Sequence, residues 1–132
     1  MGYCMSQVKD KFTMTRENVA KALEKAREMT RDEKFLCEFG LGSGNAPDTG
    51  SLEEFMDCLC WEIRTEDGAV TGIDFVGEKR GWGEDELFEL LAPFVEEDSY
   101  IEMRGEDGDA WRWVFKRGKV FTVEPTVTWP DP

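Results

Sequence analysis

The sequence contains no histidine. Histidine is the side chain that most often acts as a general base near neutral pH, and it is the commonest metal ligand. Its absence excludes Ser–His and Cys–His nucleophilic sites. Bases are also scarce, with 16 lysines and arginines against 29 aspartates and glutamates. These shortages predict a binding protein and not an enzyme, with no cofactor and no bound metal.

Long apolar segments are missing as well. No run of 18 apolar residues occurs, so we expect no membrane-spanning segment. The opening residues Met1–Ser6 show no basic stretch followed by an apolar one, which predicts a cytoplasmic protein without a secretory signal. Of the four cysteines only Cys58 and Cys60 are close in sequence, and this pattern favours reduced, buried thiols over a zinc site.

The composition is that of a folded domain. The chain has 132 residues, a hydrophobic fraction of 40%, nine phenylalanines and five tryptophans. A disordered acidic segment is poor in aromatic residues. The length and the aromatic content therefore predict one domain with its own core over residues 1–132.

Three helices are indicated by apolar residues at three- and four-residue steps. The first covers residues 16–31 behind a Thr15 cap. The second begins after Ser51, which forms a capping-box pattern with Glu54. The third has three acids in its first turn, Glu84–Glu86, where the helix dipole favours them, and Pro93 is expected to kink or end it.

The amino-terminal half is predicted to hold two shorter β regions. Residues 3–14 alternate loosely and predict a first strand whose Met5, Val8 and Phe12 face the core. Residues 34–39 are a second candidate strand. The Gly-rich segment 40–50 is expected to be a flexible loop. Its glycines match neither of the common phosphate-binding patterns, which disfavours a nucleotide site there.

The rest of the chain is rich in strand patterns. Residues 61–64 and 69–76 predict a hairpin around an Asp-Gly turn. Residues 100–104, 110–116 and 119–124 predict a three-stranded meander, followed by an irregular tail at 125–132. In the middle strand, Trp111, Trp113 and Phe115 fall on one face. The expected class is α+β, with an antiparallel sheet and about three helices packed on one face.

The negative charge is unevenly distributed. Residues 1–34 hold eight bases and six acids, whereas residues 35–132 hold eight bases and 23 acids. This asymmetry predicts an acidic surface over the second helix, the hairpin, the third helix and the meander. A surface of that kind is attracted to basic proteins and repels nucleic acid and anionic membranes.

Candidate partner-binding residues follow from the acidic groups and from one aromatic loop. Trp82 lies between two glycines beside Arg80, and Trp and Arg are enriched in protein interfaces. Packing of Trp82 back on its own helix remains the alternative. The full candidate set is Glu66, Asp67, Arg80, Trp82, Glu96, Glu97, Asp98, Glu106, Asp107 and Asp109.

Residues 100–115, the opening Met1-Gly2-Tyr3 and the stretch 87–95 resemble uncharacterised small acidic proteins of phages, prophages and Firmicutes. The resemblance covers about half of the chain and brings no catalytic motif and no activity. It implies a bacterial host cell as the setting. Small acidic phage proteins are often inhibitors of host defence, some of them as nucleic-acid mimics.

The leading hypothesis is an inhibitor of the anti-CRISPR or anti-restriction type, a DNA mimic that occupies a basic nucleic-acid-binding groove on a nuclease. It predicts a basic protein partner and no direct contact with nucleic acid or membrane. An immunity-type protein for a basic toxin is the second hypothesis. The third is a structural or regulatory phage module that is acidic for solubility and able to form homo-oligomers.

Overall fold

The computed structural model describes residues 4–31, 50–77 and 84–125. The elements, in chain order, are β1 (Met5–Lys11), α1 (Arg16–Met29), α2 (Leu52–Cys58), β2 (Trp61–Glu66), β3 (Ala69–Phe75), α3 (Glu84–Leu91), a 3-10 turn (Ala92–Phe94), β4 (Ser99–Gly105), β5 (Ala110–Lys116) and β6 (Lys119–Val123). The α+β class and the antiparallel strands are confirmed. The predicted strand at 34–39, most of the loop at 40–50 and most of the tail at 125–132 lie outside the described residues.

The strands form two antiparallel sheets. The larger sheet has the order β1-β4-β5-β6, and the smaller one pairs β2 with β3. In the larger sheet Ile101 lies opposite Trp113, and Met103 lies opposite Trp111. These four residues are buried, so this face of the sheet carries the core. The prediction that Trp111, Trp113 and Phe115 share an inward face is confirmed.

Aromatic rings join the two sheets to α3. The ring of Phe88 lies 4.8 Å from that of Trp113 and 5.2 Å from that of Trp61, measured between centroids. All three side chains are at most 1% exposed. Because these residues come from α3, β5 and β2, their packing buries one continuous core beneath the helices.

The helix boundaries follow local chemistry. The Thr15 hydroxyl accepts from the Asn18 N–H at 3.2 Å, and the Ser51 hydroxyl accepts from the Glu54 N–H at 3.1 Å, as the cap patterns predict. The first helix ends at Met29 and not at residue 31. There the Thr30 hydroxyl donates to a carbonyl of the last turn. The third helix ends at Leu91, two residues before Pro93, and passes into the 3-10 turn.

Two expectations about buried residues are wrong. Val8 is 48% exposed because the register of β1 shifts between Gln7 and Lys9, which places Val8 in a β-bulge. Cys58 and Cys60 are exposed, since they end α2 and form the turn into β2, where Cys60 has a φ of 69°. In the described part of the chain no helix is long and apolar enough to cross a membrane.

Candidate functional site

A side-chain clamp joins the small sheet to the large one. The Gln7 amide on β1 donates to the Ile73 carbonyl and accepts from the Phe75 N–H, both at 2.7 Å. It therefore occupies hydrogen-bonding groups on the edge of β3 that a neighbouring strand would otherwise use. Further along, Met14 and Val70 exchange two backbone hydrogen bonds of 3.1 and 3.0 Å. Gln7 pairs with Met103 on the core side of the larger sheet, so these contacts fix the β2–β3 hairpin against that side of β1.

An ion-pair cluster reinforces this junction. The Arg64 guanidinium contacts both carboxylate oxygens of Asp10, at 2.7 and 2.8 Å, and its Nε lies 3.3 Å from Asp74. To reach Asp10 it crosses Gly72, where an added Cβ would lie 2.1 Å from Arg64 Nη2. The missing side chain at Gly72 is what lets the guanidinium approach the neighbouring strand.

Helices α2 and α3, the β2–β3 hairpin and the segment before β4 are strongly acidic; described residues 50–77 and 84–98 are named here the acidic half. These ranges contain fourteen carboxylates and a single cation, Arg64. The fourteen are Glu53, Glu54, Asp57, Glu62, Glu66, Asp67, Asp74, Glu84, Asp85, Glu86, Glu89, Glu96, Glu97 and Asp98. Eleven of them are exposed, all except Asp74, Glu84 and Glu86.

Helix geometry places some of these acids in like-charge pairs. Glu53 and Asp57 on α2, and Asp85 and Glu89 on α3, are spaced i,i+4. Side chains at that spacing are neighbours about 6 Å apart, and like charges there destabilise a helix by a few tenths of a kcal/mol. Glu53 and Asp85 lie in first helical turns, where the helix dipole offsets this repulsion, and Asp85 also accepts a hydrogen bond from the Trp113 indole at 3.3 Å.

One predicted acidic group lies at the end of the sheet where β1 finishes. The Glu96 N–H donates to the Thr13 carbonyl at 2.9 Å, and the Met14–Val70 pair brings the β2–β3 turn to the same end. Glu66 and Asp67 in that turn therefore lie near the same end of β1 as Glu96, Glu97 and Asp98. Two of these acids have local partners, because Asp98 is 3.5 Å from Lys116 and Glu97 accepts from the Arg117 N–H.

The other predicted acidic group lies elsewhere. Glu106, Asp107 and Asp109 follow β4, whereas Glu96–Asp98 precede it, so the seven residues of β4 separate the two groups by roughly 20 Å. They also have structural roles. The Glu106 carboxylate accepts from the Cys4 N–H, and Asp107 accepts from the Asp109 N–H within the turn. The two predicted groups do not form one face.

The expected acidity of the meander is wrong. Described residues 99–125 contain five acids and five bases. The bases concentrate on the outward face of the larger sheet, because strand alternation and register place them on the side opposite Trp113. We name this the basic sheet face; its cations are Lys9, Lys11, Arg104, Arg112, Lys116 and Lys119, and its other members include Tyr100, Glu102, Val114, Phe121 and Val123.

The basic sheet face is organised in rows across the strands. One row is apolar and aromatic, since Tyr100 pairs with Val114, which pairs with Phe121. Arg112 lies in the next row, stacks 4.7 Å from the Tyr100 ring centroid, and contacts Glu102 at 2.6 Å. Sequence reasoning missed this surface, although alternation of basic with apolar residues in β4, β5 and β6 was the signal for it.

The loop candidates Arg80 and Trp82 lie outside the described residues. In the described ranges no three His, Cys, Asp or Glu side chains converge as metal ligands. Comparison of the chain with protein-family models, curated proteins and solved structures finds no match. The charges and contacts of these two surfaces are therefore the features that bear on function.

Proposed function

We propose that this chain is a small non-enzymatic binding protein whose acidic half occupies the basic nucleic-acid-binding groove of a partner protein, such as a bacterial defence nuclease. The observation that carries the proposal is the ratio of fourteen carboxylates to one cation in the acidic half. A surface with one sign of charge steers association with a partner of the opposite sign.

The placement of these carboxylates supports the same function. Eleven are exposed, and Arg64, the one cation among them, is already engaged by Asp10 and Asp74. The i,i+4 acid pairs on α2 and α3 place negative charges side by side on two helices. Regularly spaced carboxylates on two helices are able to substitute for the phosphates that a basic groove binds.

The residue assignment changes with the structure. The proposed contact surface keeps Glu66, Asp67 and Glu96–Asp98 and adds the exposed acids of α2 and α3. The turn acids Glu106, Asp107 and Asp109 are left out, since they lie at the opposite end of β4 and two of them stabilise local backbone.

The test begins with capture from a bacterial lysate. Tagged protein is incubated with a lysate that has been pretreated with nuclease, so that no nucleic acid bridges it to a captured protein. The complex is bound to an affinity column through the tag, and the column is washed from 0.1 to 1 M NaCl. We expect a nucleic-acid-binding protein to elute with salt, and we expect the tagged protein to displace an oligonucleotide from it. Absence of such a protein would overturn the proposal.

Matched charge reversals locate the contact. Glu53→Lys with Glu89→Lys changes one exposed acid on each helix of the acidic half. Asp109→Lys with Glu124→Lys makes the same change in net charge outside it. The first variant should bind the captured protein at least about tenfold more weakly, and the second should stay within about threefold. Equal losses in the two variants would show that only net charge matters.

A further inference from the structure

We infer that the basic sheet face is a second binding surface and that its ligand is single-stranded nucleic acid. The inference does not rest on the proposed function, because it concerns a different set of residues on the larger sheet. It departs from the expectation, drawn from net charge, that the protein makes no direct contact with nucleic acid.

The charge of this face is predominantly positive. Six cations project from the four strands together with one carboxylate, Glu102, which Arg112 already engages through contacts of 2.6 and 2.7 Å. At the edge of the face Lys116 lies 3.5 Å from Asp98, which leaves five cations without an acid of the acidic half beside them. Five of the six cations are exposed, and Arg112 is half-buried. A continuous set of lysines and arginines on a flat surface follows a phosphate backbone, and release of counterions supplies the binding free energy.

The aromatic row favours a ligand with unpaired bases over other anionic ligands. Phe121 is 47% exposed on the outward face of β6, and Tyr100 is two strands away in the same row. Lys116 and Lys119 form the row on one side, and Arg112 lies in the row on the other. Tyr100 is half-buried under the Arg112 guanidinium, so Phe121 is the exposed ring of the row. An exposed ring between rows of cations suits an unpaired base, which stacks on the aromatic face while the phosphates contact the cations.

A groove at the end of β6 extends this face. It has a volume of about 470 Å³, and its walls include Arg104, Arg112 and Val123, with the carboxylates of Glu102 and Glu124 at the same groove. This volume is within the range of small-ligand sites. The groove is therefore large enough for one base beyond the aromatic row.

The overall charge of -13 does not prevent this binding. At physiological ionic strength the Debye length is about 8 Å, so exposed charges farther away are largely screened. The acids of α3 lie across the core from the face, because Phe88 of that helix packs on the inward side of β5. A helix is about 10 Å in diameter, which places its exposed acids beyond that distance. Asp98 is the exception, because it lies 3.5 Å from Lys116 and offsets that charge, so the other five cations contribute most to the field at the face.

The experiment measures fluorescence anisotropy of a labelled 15-nucleotide oligothymidylate. At 50 mM NaCl we expect a dissociation constant on the order of 10 µM. With about four phosphate contacts on a single strand, affinity should fall about fiftyfold at 200 mM NaCl. No binding at 100 µM protein in 50 mM NaCl would overturn the inference.

Matched variants connect binding to the face. Lys9→Glu with Lys119→Glu should weaken binding at least about tenfold, whereas Lys21→Glu with Arg31→Glu on the α1 side, with the same change in net charge, should stay within about threefold. Phe121→Ala should weaken binding about fivefold or more with an unchanged salt slope, and Phe121→Tyr should restore it, because a ring is what stacks.

Competition separates the ligand classes. Polyglutamate of matched charge should displace the oligonucleotide poorly, since it has no bases to stack on Phe121. If polyglutamate competes equally well and Phe121→Ala has no effect, the face binds acidic polypeptides and the inference is wrong. None of these variants alters the acidic half, so failure here leaves the capture experiment unaffected.

Discussion

At the scale of single residues, Gly72 and Arg64 show how a missing side chain permits a contact between strands. Gly72 does not have a positive φ, so its backbone conformation does not require glycine. What requires glycine is the Arg64 side chain lying over it. The requirement should therefore disappear once that side chain is removed.

Gly72→Ala tests this in two backgrounds. In the natural chain we expect a loss of about 0.5–1 kcal/mol, because the Cβ displaces the partly exposed Arg64 from Asp10. In an Arg64→Ala background we expect a gain of about 0.5 kcal/mol, because alanine is favoured over glycine in a strand. Urea unfolding of the four proteins measures both values. The same sign in both backgrounds would contradict the assignment.

At the scale of elements, the β2–β3 hairpin depends on β1 for its position. A two-stranded hairpin is marginally stable alone. Here its free edge is bonded by Gln7, Asp10 and the Met14 backbone, and its inward face is buried through Trp61. The hairpin presents part of the acidic half, so this junction also determines where those acids lie.

Gln7→Leu should weaken that junction. The change keeps most of the volume but leaves the Ile73 carbonyl and the Phe75 N–H without the Gln7 amide. We expect a loss of about 2 kcal/mol in the free energy of unfolding, from two hydrogen bonds of about 1 kcal/mol each. Hydrogen exchange at Phe75 should accelerate more than at Ile101 in β4. Ser6→Ala, an exposed neighbour on β1, is the control, and an equal effect there would refute the role of Gln7.

At the scale of the whole molecule, the fold separates charge by sign. The acidic half contains α2, α3 and the hairpin, while most cations of the described residues lie on α1 and on the basic sheet face. Self-repulsion within the acidic half opposes folding, and salt screens it. The separation gives one small domain two surfaces of opposite charge, and each is a proposed binding surface.

Charge reversal in the acidic half should therefore stabilise the protein. At 10 mM NaCl, Glu53→Lys with Glu89→Lys should raise Tm by about 3 °C through reduced repulsion. At 500 mM NaCl this difference should largely vanish. Asp109→Lys with Glu124→Lys should raise Tm less. A lower Tm for Glu53→Lys with Glu89→Lys would contradict self-repulsion within the acidic half. A higher Tm would also show that weaker partner binding by this variant is not caused by unfolding.

Much of the fold was determined by the sequence itself. The helix caps at Thr15 and Ser51, the effect of Pro93 and the alternation around Trp113 depend on neighbours within a few residues, so the sequence alone predicts them. The α+β class follows from the order of those elements. The proposed function and the resemblance to phage proteins remain predictions.

Only the tertiary structure decided which charges share a surface. Strand pairing places Lys9 in the same row as Arg112, which comes far later in the chain. The acids Glu96–Asp98 and the turn acid Glu106 lie at opposite ends of β4, so they are separated by its length. Register, the bulge at Val8 and the Gln7 clamp depend on contacts between distant segments. Local sequence patterns do not encode those contacts, because a face is formed only when strands align.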